Sequence, residues 1–288
     1  MNFEEKGRVL AYLKNDAEKD RKKWEKLFLT DKPTDVRGGV FRDVKLKDKP
    51  NLHFQPIPDK NIERSITYIT GASGSGKSFY TKMYVDEYKK LYPKREVFLI
   101  SSLSDDSSID KIKGLNRVKM NEKFLTTEIS AKDFKDCCVI FDDTDCLTDK
   151  RYRLKVAEVL NSLLETGRHF NCEVIYTSHL ATDGHATKRI LNECKSVVIF
   201  PSGLGGRSIK YLLDNYFGLD REQIKRIKKL NSRWVCINKG FPMSVVADKE
   251  AYVLNDADDE DDLIEDFLQW WETNYPHIIT GWNSRFFD

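Results

Sequence analysis

"GASGSGKSFY" (71–80) is the stretch on which the fold turns. Gly71, Gly76, Lys77 and Ser78 satisfy G-x-x-x-x-G-K-[ST]. In that spacing glycines let the backbone curl until successive N–H groups point at phosphate oxygens. "SITYIT" (65–70) reads as a short apolar strand running into the loop, and the residues after it read as a helix to about Leu91. The N-terminus of such a helix adds favourable partial charge for an anion. The candidate nucleotide-binding residues are therefore Gly71, Ala72, Ser73, Gly74, Ser75, Gly76, Lys77, Ser78 and Phe79. Lys77 would reach the β- and γ-phosphates of ATP, and the Ser78 hydroxyl would coordinate Mg²⁺.

Outward from the loop the text becomes regular. "EVFLIS" (96–101), "CCVIFDD" (137–143), "CEVIYTS" (172–178) and "SVVIFP" (196–201) are further strand-like runs. A helix carrying Leu154, Val156, Val159, Leu160, Leu163 and Leu164 follows the third strand. Strands that alternate with helices and are apolar on both faces imply an α/β fold, a mostly parallel sheet covered on two sides. Two helices near 207–217 and 220–230 come next, then "RWVCIN" and "MSVVA" as a hairpin. Residues 3–29 are rich in Lys and Glu, with Val9, Leu10, Leu13, Trp24, Leu27 and Phe28 as an interrupted apolar stripe. They read as a polar helix, and 31–59 as loop. The expected division is an N-terminal helical extension and linker (1–60), an ATPase domain (61–254), and an acidic linker with a C-terminal helix and strand (255–288).

The 288 residues are 40% hydrophobic and 33% charged, as expected of a soluble globular protein. No apolar run approaches the ~18 residues of a membrane span, and the charged N-terminus does not resemble a signal peptide. Cys137, Cys138, Cys146, Cys172, Cys194 and Cys236 form no CxxC pair. They read as reduced, small buried residues of an intracellular protein, not as a zinc site. Charge is unevenly placed. Residues 255–288 carry ten acids and one base, leaving 47 basic and 36 acidic residues, net +11, in 1–254. A basic body with an acidic tail fits a polyanionic partner or a solvated surface.

The carboxylates narrow the chemistry. In "CCVIFDD", Asp142 ends an apolar strand and is the candidate second Mg²⁺-side ligand. Asp143, turned to the other side of the backbone, would orient and polarise an attacking water. Asp145 is a third nearby acid. A small-molecule kinase needs an acceptor pocket and an arginine-bearing lid instead, and no arginine-rich lid is evident. "TSH" (177–179) closes the fourth strand, expected between the loop strand and the Asp142 strand. Ser178 and His179 are the candidates to sense a γ-phosphate, with Thr177 beside them. "ETGRHFN" (165–171) puts Arg168 in an exposed turn. There it would pair with a surface acid, contact DNA, or stabilise phosphoryl charge at a neighbouring subunit's site.

"GASGSGKS", "CVIFDDTD", "GRHFNCEVIYTSH", "VVIFPSG" and "SRWVCINKGFP" occur in the order and rough spacing found in genome-packaging ATPases of large DNA viruses. The chain over about 60–254 resembles that poxvirus-type branch of the FtsK–HerA group. The resemblance implies an ASCE-type P-loop NTPase that hydrolyses ATP with Mg²⁺. It also implies a homo-oligomeric ring that threads double-stranded DNA into a preformed capsid, with a capsid or portal-vertex protein as partner. The expected setting is intracellular, in host cytoplasm or a viral factory, or associated with the virion. His179 stands where many members place Gln, and Asp143 where related motors often have Glu. The basic stretches 203–210 and 221–229 could line a DNA channel through salt-sensitive backbone contacts. A second reading is a nucleotide-dependent DNA- or capsid-binding assembly protein without sustained movement. A third is a nucleoside or nucleotide kinase. Finally, "FLQWWETNYPHIITGWNSRFFD" (267–288) resembles a fragment of the exonuclease region of family B DNA polymerases. Asp288 alone cannot assemble a two-metal site, so no nuclease activity is expected.

Overall fold

The computed structural model describes residues 1–46, 49–62 and 64–254. The acidic run, the expected C-terminal helix and strand, and Asp288 lie outside the described residues. In chain order the elements are β1 (Arg8–Asn15), β2 (Glu25–Leu29), β3 (Asp43–Lys45), β4 (Leu52–Pro56) and β5 (Ile66–Thr70). Next come α1 (Lys77–Leu91), β6 (Val97–Ser101), β7 (Leu115–Arg117), α2 (Glu122–Thr126), β8 (Cys138–Asp142) and α3 (Lys150–Thr166). The remainder are β9 (Glu173–Ser178), α4 (Gly184–Glu193), β10 (Ser196–Ile199), α5 (Gly206–Phe217), α6 (Arg221–Lys229), β11 (Val235–Asn238), β12 (Ser244–Ala247) and β13 (Glu250–Val253).

One ten-stranded sheet organises these elements, in the order β3-β13-β12-β11-β10-β5-β9-β8-β6-β7. From β10 to β7 every neighbouring pair is parallel. From β10 to β3 every pair is antiparallel. The strand ending at "TSH", β9, lies between the loop strand β5 and the Asp142 strand β8, as the sequence led one to expect. This is the P-loop NTPase fold with an added strand between the two that carry the phosphate loop and the acidic pair. Every residue of β5, β8 and β9 is buried, which requires cover on both faces and explains their unbroken apolar runs.

Across β5 and β9 the Tyr68 and Tyr176 rings stack at 5.7 Å and 9°. Helix α3 starts where the Asp149 side chain accepts the Arg151 N–H at 2.8 Å, an N-cap of the usual kind. It buries Val156, Val159, Leu160, Leu163 and Leu164, each contributing about 1.5–3 kcal/mol of apolar burial. Leu154, expected on that face, is 60% exposed. Helix α6 opens with a reciprocal capping box between Asp220 and Gln223, as its "DREQ" text invites.

Residues 3–29 do not form the expected helix; apart from one 3-10 turn at Arg21–Lys23 they are extended or irregular. They form β1 and β2, which with β4 make an antiparallel sheet in the order β2-β1-β4. The apolar residues fall in two short runs, each satisfied by cross-strand pairing. Leu10, Ala11, Leu27, Phe28 and Leu29 are buried, and the polar turn between the runs reverses the chain. Local Lys/Glu helix propensity is overridden by pairing partners up to 45 residues away, as for Ala11 and Pro56. Arg8 ties this sheet to the body by donating from Nη2 to the Pro242 carbonyl at 2.7 Å. Residues 31–59 are not all loop either, because β3 extends the main sheet by pairing with β13. Met1–Leu254 form one compact unit.

Candidate nucleotide site

The phosphate loop joins β5 to α1 and has the backbone its glycines permit. Gly74 and Gly76 have φ of +71° and +115°, a region L-residues with side chains rarely adopt. Gly71 is required for space: a Cβ there would stand 2.7 Å from the Phe200 Cβ. Gly203, in the turn after β10, approaches the loop as closely, since a Cβ on it would meet the Ala72 Cβ at 2.6 Å. Gly203 is therefore packed against the phosphate loop. The Ser75 Oγ is buried with no hydrogen-bond partner among the described residues, an orphan that a phosphate oxygen would satisfy.

Lys77 is only 5% exposed and its ammonium is held at the strand ends. It donates to the Gly71 carbonyl at 2.9 Å and to His179 Nδ1 at 3.2 Å, and stands 3.7 Å from Asp143 Oδ1. His179 Nε2 lies 3.0 Å from Asp143 Oδ2. That geometry fits the tautomer protonated on Nε2, donating to Asp143 while Nδ1 accepts from Lys77. The ring thus bridges the lysine and the carboxylate.

The two aspartates sit in different surroundings. Asp142 is buried and accepts from Thr177 Oγ1 at 2.9 Å and Ser101 Oγ at 3.2 Å. Burial, then the neighbouring Asp143 charge, pushes its carboxyl above the ordinary range, against those two hydrogen bonds. Asp143 has φ +49°, an uncommon conformation for a residue with a side chain. The backbone turn aims it at Lys77 and His179, and the Asp143 N–H donates to Thr177 Oγ1 at 3.0 Å. Two adjacent carboxylates, one buried, are an arrangement that a hard cation would balance. Ser78 and Asp142 would supply oxygen donors of the kind that Mg²⁺ takes beside its waters and phosphates, so the donor chemistry fits.

Other expectations change. Ser178 is fully buried and donates to Asp145 Oδ2 at 2.7 Å. The same oxygen accepts the His179 backbone N–H at 3.1 Å. Asp145 therefore holds the strand end, and of the two sensor candidates only His179 reaches Lys77 and Asp143. Phe79 is 67% exposed on the first turn of α1. Arg168 is not brought to this site: its turn precedes β9 and lies at the opposite edge of the sheet. With Ile62, Arg64, Ile66, Glu193 and Lys195 it lines an open cleft of about 500 Å³.

On α6, Arg226 pairs with Asp43 and Glu250, and Lys225 with Glu222. Lys228 donates to the Gly206 carbonyl. Part of that basic helix is thus neutralised within the chain. The six cysteines are free, five buried and Cys146 exposed. No helix among the described residues is long and apolar enough to cross a membrane.

Sequence reasoning missed Arg233. Its Nε donates to the Ser75 carbonyl at 2.7 Å, and Nη2 to the Gly74 carbonyl at 3.3 Å. The motif "SRWV" was visible, but nothing in it shows a side chain returning to the loop.

Loop, acidic pair and strand order together define a P-loop NTPase-type nucleotide site. No family model matches the chain. It is 38% identical over 233 residues to uncharacterized protein V3 of Sputnik virophage, a match spanning 76% of this chain and 94% of that one. The chain belongs to the family of that virophage protein. Among solved structures it is similar to the genome-packaging NTPase B204 of Sulfolobus turreted icosahedral virus 2 in complex with AMP. That likeness has 13% identity and a TM-score of 0.47, covering 65% of this chain and 98% of B204. A similar likeness links it to the pCW3 conjugation coupling protein TcpA, at 11% identity and a TM-score of 0.45, covering 91% and 81% of the two chains. These are distant likenesses, and the site stands on its own geometry.

Proposed function

We propose that this chain hydrolyses ATP to move double-stranded DNA, packaging a viral genome as part of a homo-oligomeric ring. The observation that carries the hydrolytic part is the contact of Asp143 with Lys77 and His179 at the end of the phosphate loop. A phosphate-binding lysine, a carboxylate and a polar strand end meet within hydrogen-bond reach, where a γ-phosphate and its attacking water would lie. The loop N–H groups would cradle the phosphates, and Lys77 would exchange Gly71 and His179 for phosphate oxygens. Lys77 and His179 would thereby release Asp143 to orient water. His179 would register whether the γ-phosphate is present. Bound through Ser78 and Asp142, Mg²⁺ would neutralise phosphate charge.

The DNA part is supported by the resemblance to packaging ATPases, and the viral setting by membership of a virophage protein family. Net positive charge over 1–254 favours a polyanionic partner. The test is ATP hydrolysis by the purified full chain with and without duplex DNA, its oligomeric state measured in parallel. Stimulation by DNA in an oligomer is expected. Slow hydrolysis indifferent to DNA would favour an assembly protein instead, and phosphate appearing on a nucleoside acceptor would favour a kinase.

A further inference from the structure

We infer that Arg233 is a positioning residue for the phosphate loop, holding it from outside so that its N–H groups face the β-phosphate. The inference rests on the nucleotide reading above and gives a role to a residue to which the sequence motifs assign none. The guanidinium fork meets two consecutive loop carbonyls, Ser75 at 2.7 Å and Gly74 at 3.3 Å. Consecutive peptide groups in a tight anion-binding curl turn their N–H groups inward and their carbonyls outward. Capping those carbonyls with a rigid fork therefore favours the curled state, which a single-headed lysine does less well. A Cβ on Gly76 would sit 3.4 Å from the Arg233 guanidinium. That glycine thus serves both its positive φ and the arginine's seat.

Arg233 is delivered from a pinned segment. The Ser232 hydroxyl donates to the Trp234 carbonyl at 2.5 Å and accepts the Asp248 N–H at 3.1 Å. The Trp234 ring packs edge-on against Tyr80 of α1, centroids 5.5 Å apart. No carboxylate among the described residues pairs with Arg233, so its charge adds to the loop's positive potential. A side chain fixed on the β11 side thereby sets the geometry of a loop 158 residues earlier.

The test is nucleotide binding and steady-state hydrolysis by the full chain carrying Arg233→Met or Arg233→Lys, with Tm measured for each. Arg233→Met is expected to weaken ATP and ADP by the same factor, about tenfold for two charge-assisted hydrogen bonds. KM should rise and kcat change by less than threefold, with Tm nearly constant. Arg233→Lys should recover part of the affinity. Equal ADP affinity in Arg233→Met and a wild type that binds nucleotide would overturn the inference alone. A loss confined to ATP, or a loss tracking a fall in Tm, would overturn it too, by assigning Arg233 to the γ-phosphate or to general stability. A wild type that bound neither MgATP nor ADP would overturn the nucleotide reading itself, and the inference with it.

Discussion

At the C-terminal edge of the parallel strands, polar side chains are matched to one another. Lys77 meets His179 and Asp143, Thr177 meets both aspartates, and Ser178 meets Asp145. At the N-terminal edge, Arg64, Arg168 and Lys195 border an open cleft with one acid, Glu193. The first edge has a phosphate cradle, a carboxylate pair and a lysine. The second offers positive charge on no cradle. The difference teaches that one copy of this chain gathers its candidate nucleotide-binding groups at one edge and keeps its candidate arginine at the other. A head-to-tail contact that joined one copy's N-terminal edge to the next copy's phosphate loop would place Arg168 beside that loop. Arg168 would then complete a site that its own chain cannot.

The largest effect expected breaks that comparison outright. If Arg168 serves a neighbour, Arg168→Ala should lower kcat by about a thousandfold and leave KM for ATP nearly unchanged. Mixing Arg168→Ala with Lys77→Ala protein should restore part of the activity, because mixed rings contain some interfaces with both intact halves. Steady-state rates on mixtures read this directly. No loss in Arg168→Ala would make the N-terminal edge a mere surface. Next in size, Lys77→Ala should cost about a hundredfold in kcat/KM, measurable as phosphate release, and it should also weaken nucleotide binding.

A smaller effect concerns stability. Glu173, the first residue of β9, is buried, with Tyr84 Oη 3.4 Å away. Burial pushes its carboxyl up to about 8 from an ordinary 4.5, against that hydrogen bond and the Arg95 charge. The folded chain therefore keeps a proton that the unfolded chain releases. This contribution is fully present below about pH 4.5 and is lost as pH rises towards 8. Its limiting slope is about 1.4 kcal/mol per pH unit. Chemical denaturation from pH 5 to 8 should show wild-type stability falling relative to Glu173→Gln. Parallel curves would mean that Glu173 is already ionised in the folded chain.

Legibility in the sequence followed the same divide. In the parallel half β5, β8 and β9 were readable because each is a buried apolar run that ends on its chemistry: Thr70 before the loop, Asp142 before Asp143, Ser178 before His179; β7, three residues with none buried, was not. The N-terminal sheet was not readable, because Val9, Leu10, Leu27 and Phe28 gain burial only through strand pairing that sequence spacing does not display. Ser178 and His179 were adjacent candidates, and only the turn after β9 separates a residue bonded to Asp145 from one facing Lys77. Arg233 escaped notice because its partners are backbone carbonyls, which no side-chain pattern records. Arg168 was readable as an exposed arginine, and the sheet topology shows which edge it occupies.

The central claim is that Asp143 orients water at a nucleotide gripped by Lys77 and Ser78. It is tested most directly by Asp143→Asn, which keeps the shape and removes the charge. Nucleotide affinity and phosphate release should be measured on the same preparation. ATP affinity within a few-fold of wild type, with hydrolysis reduced about a hundredfold or more, is the predicted result. Turnover at the wild-type rate would contradict it.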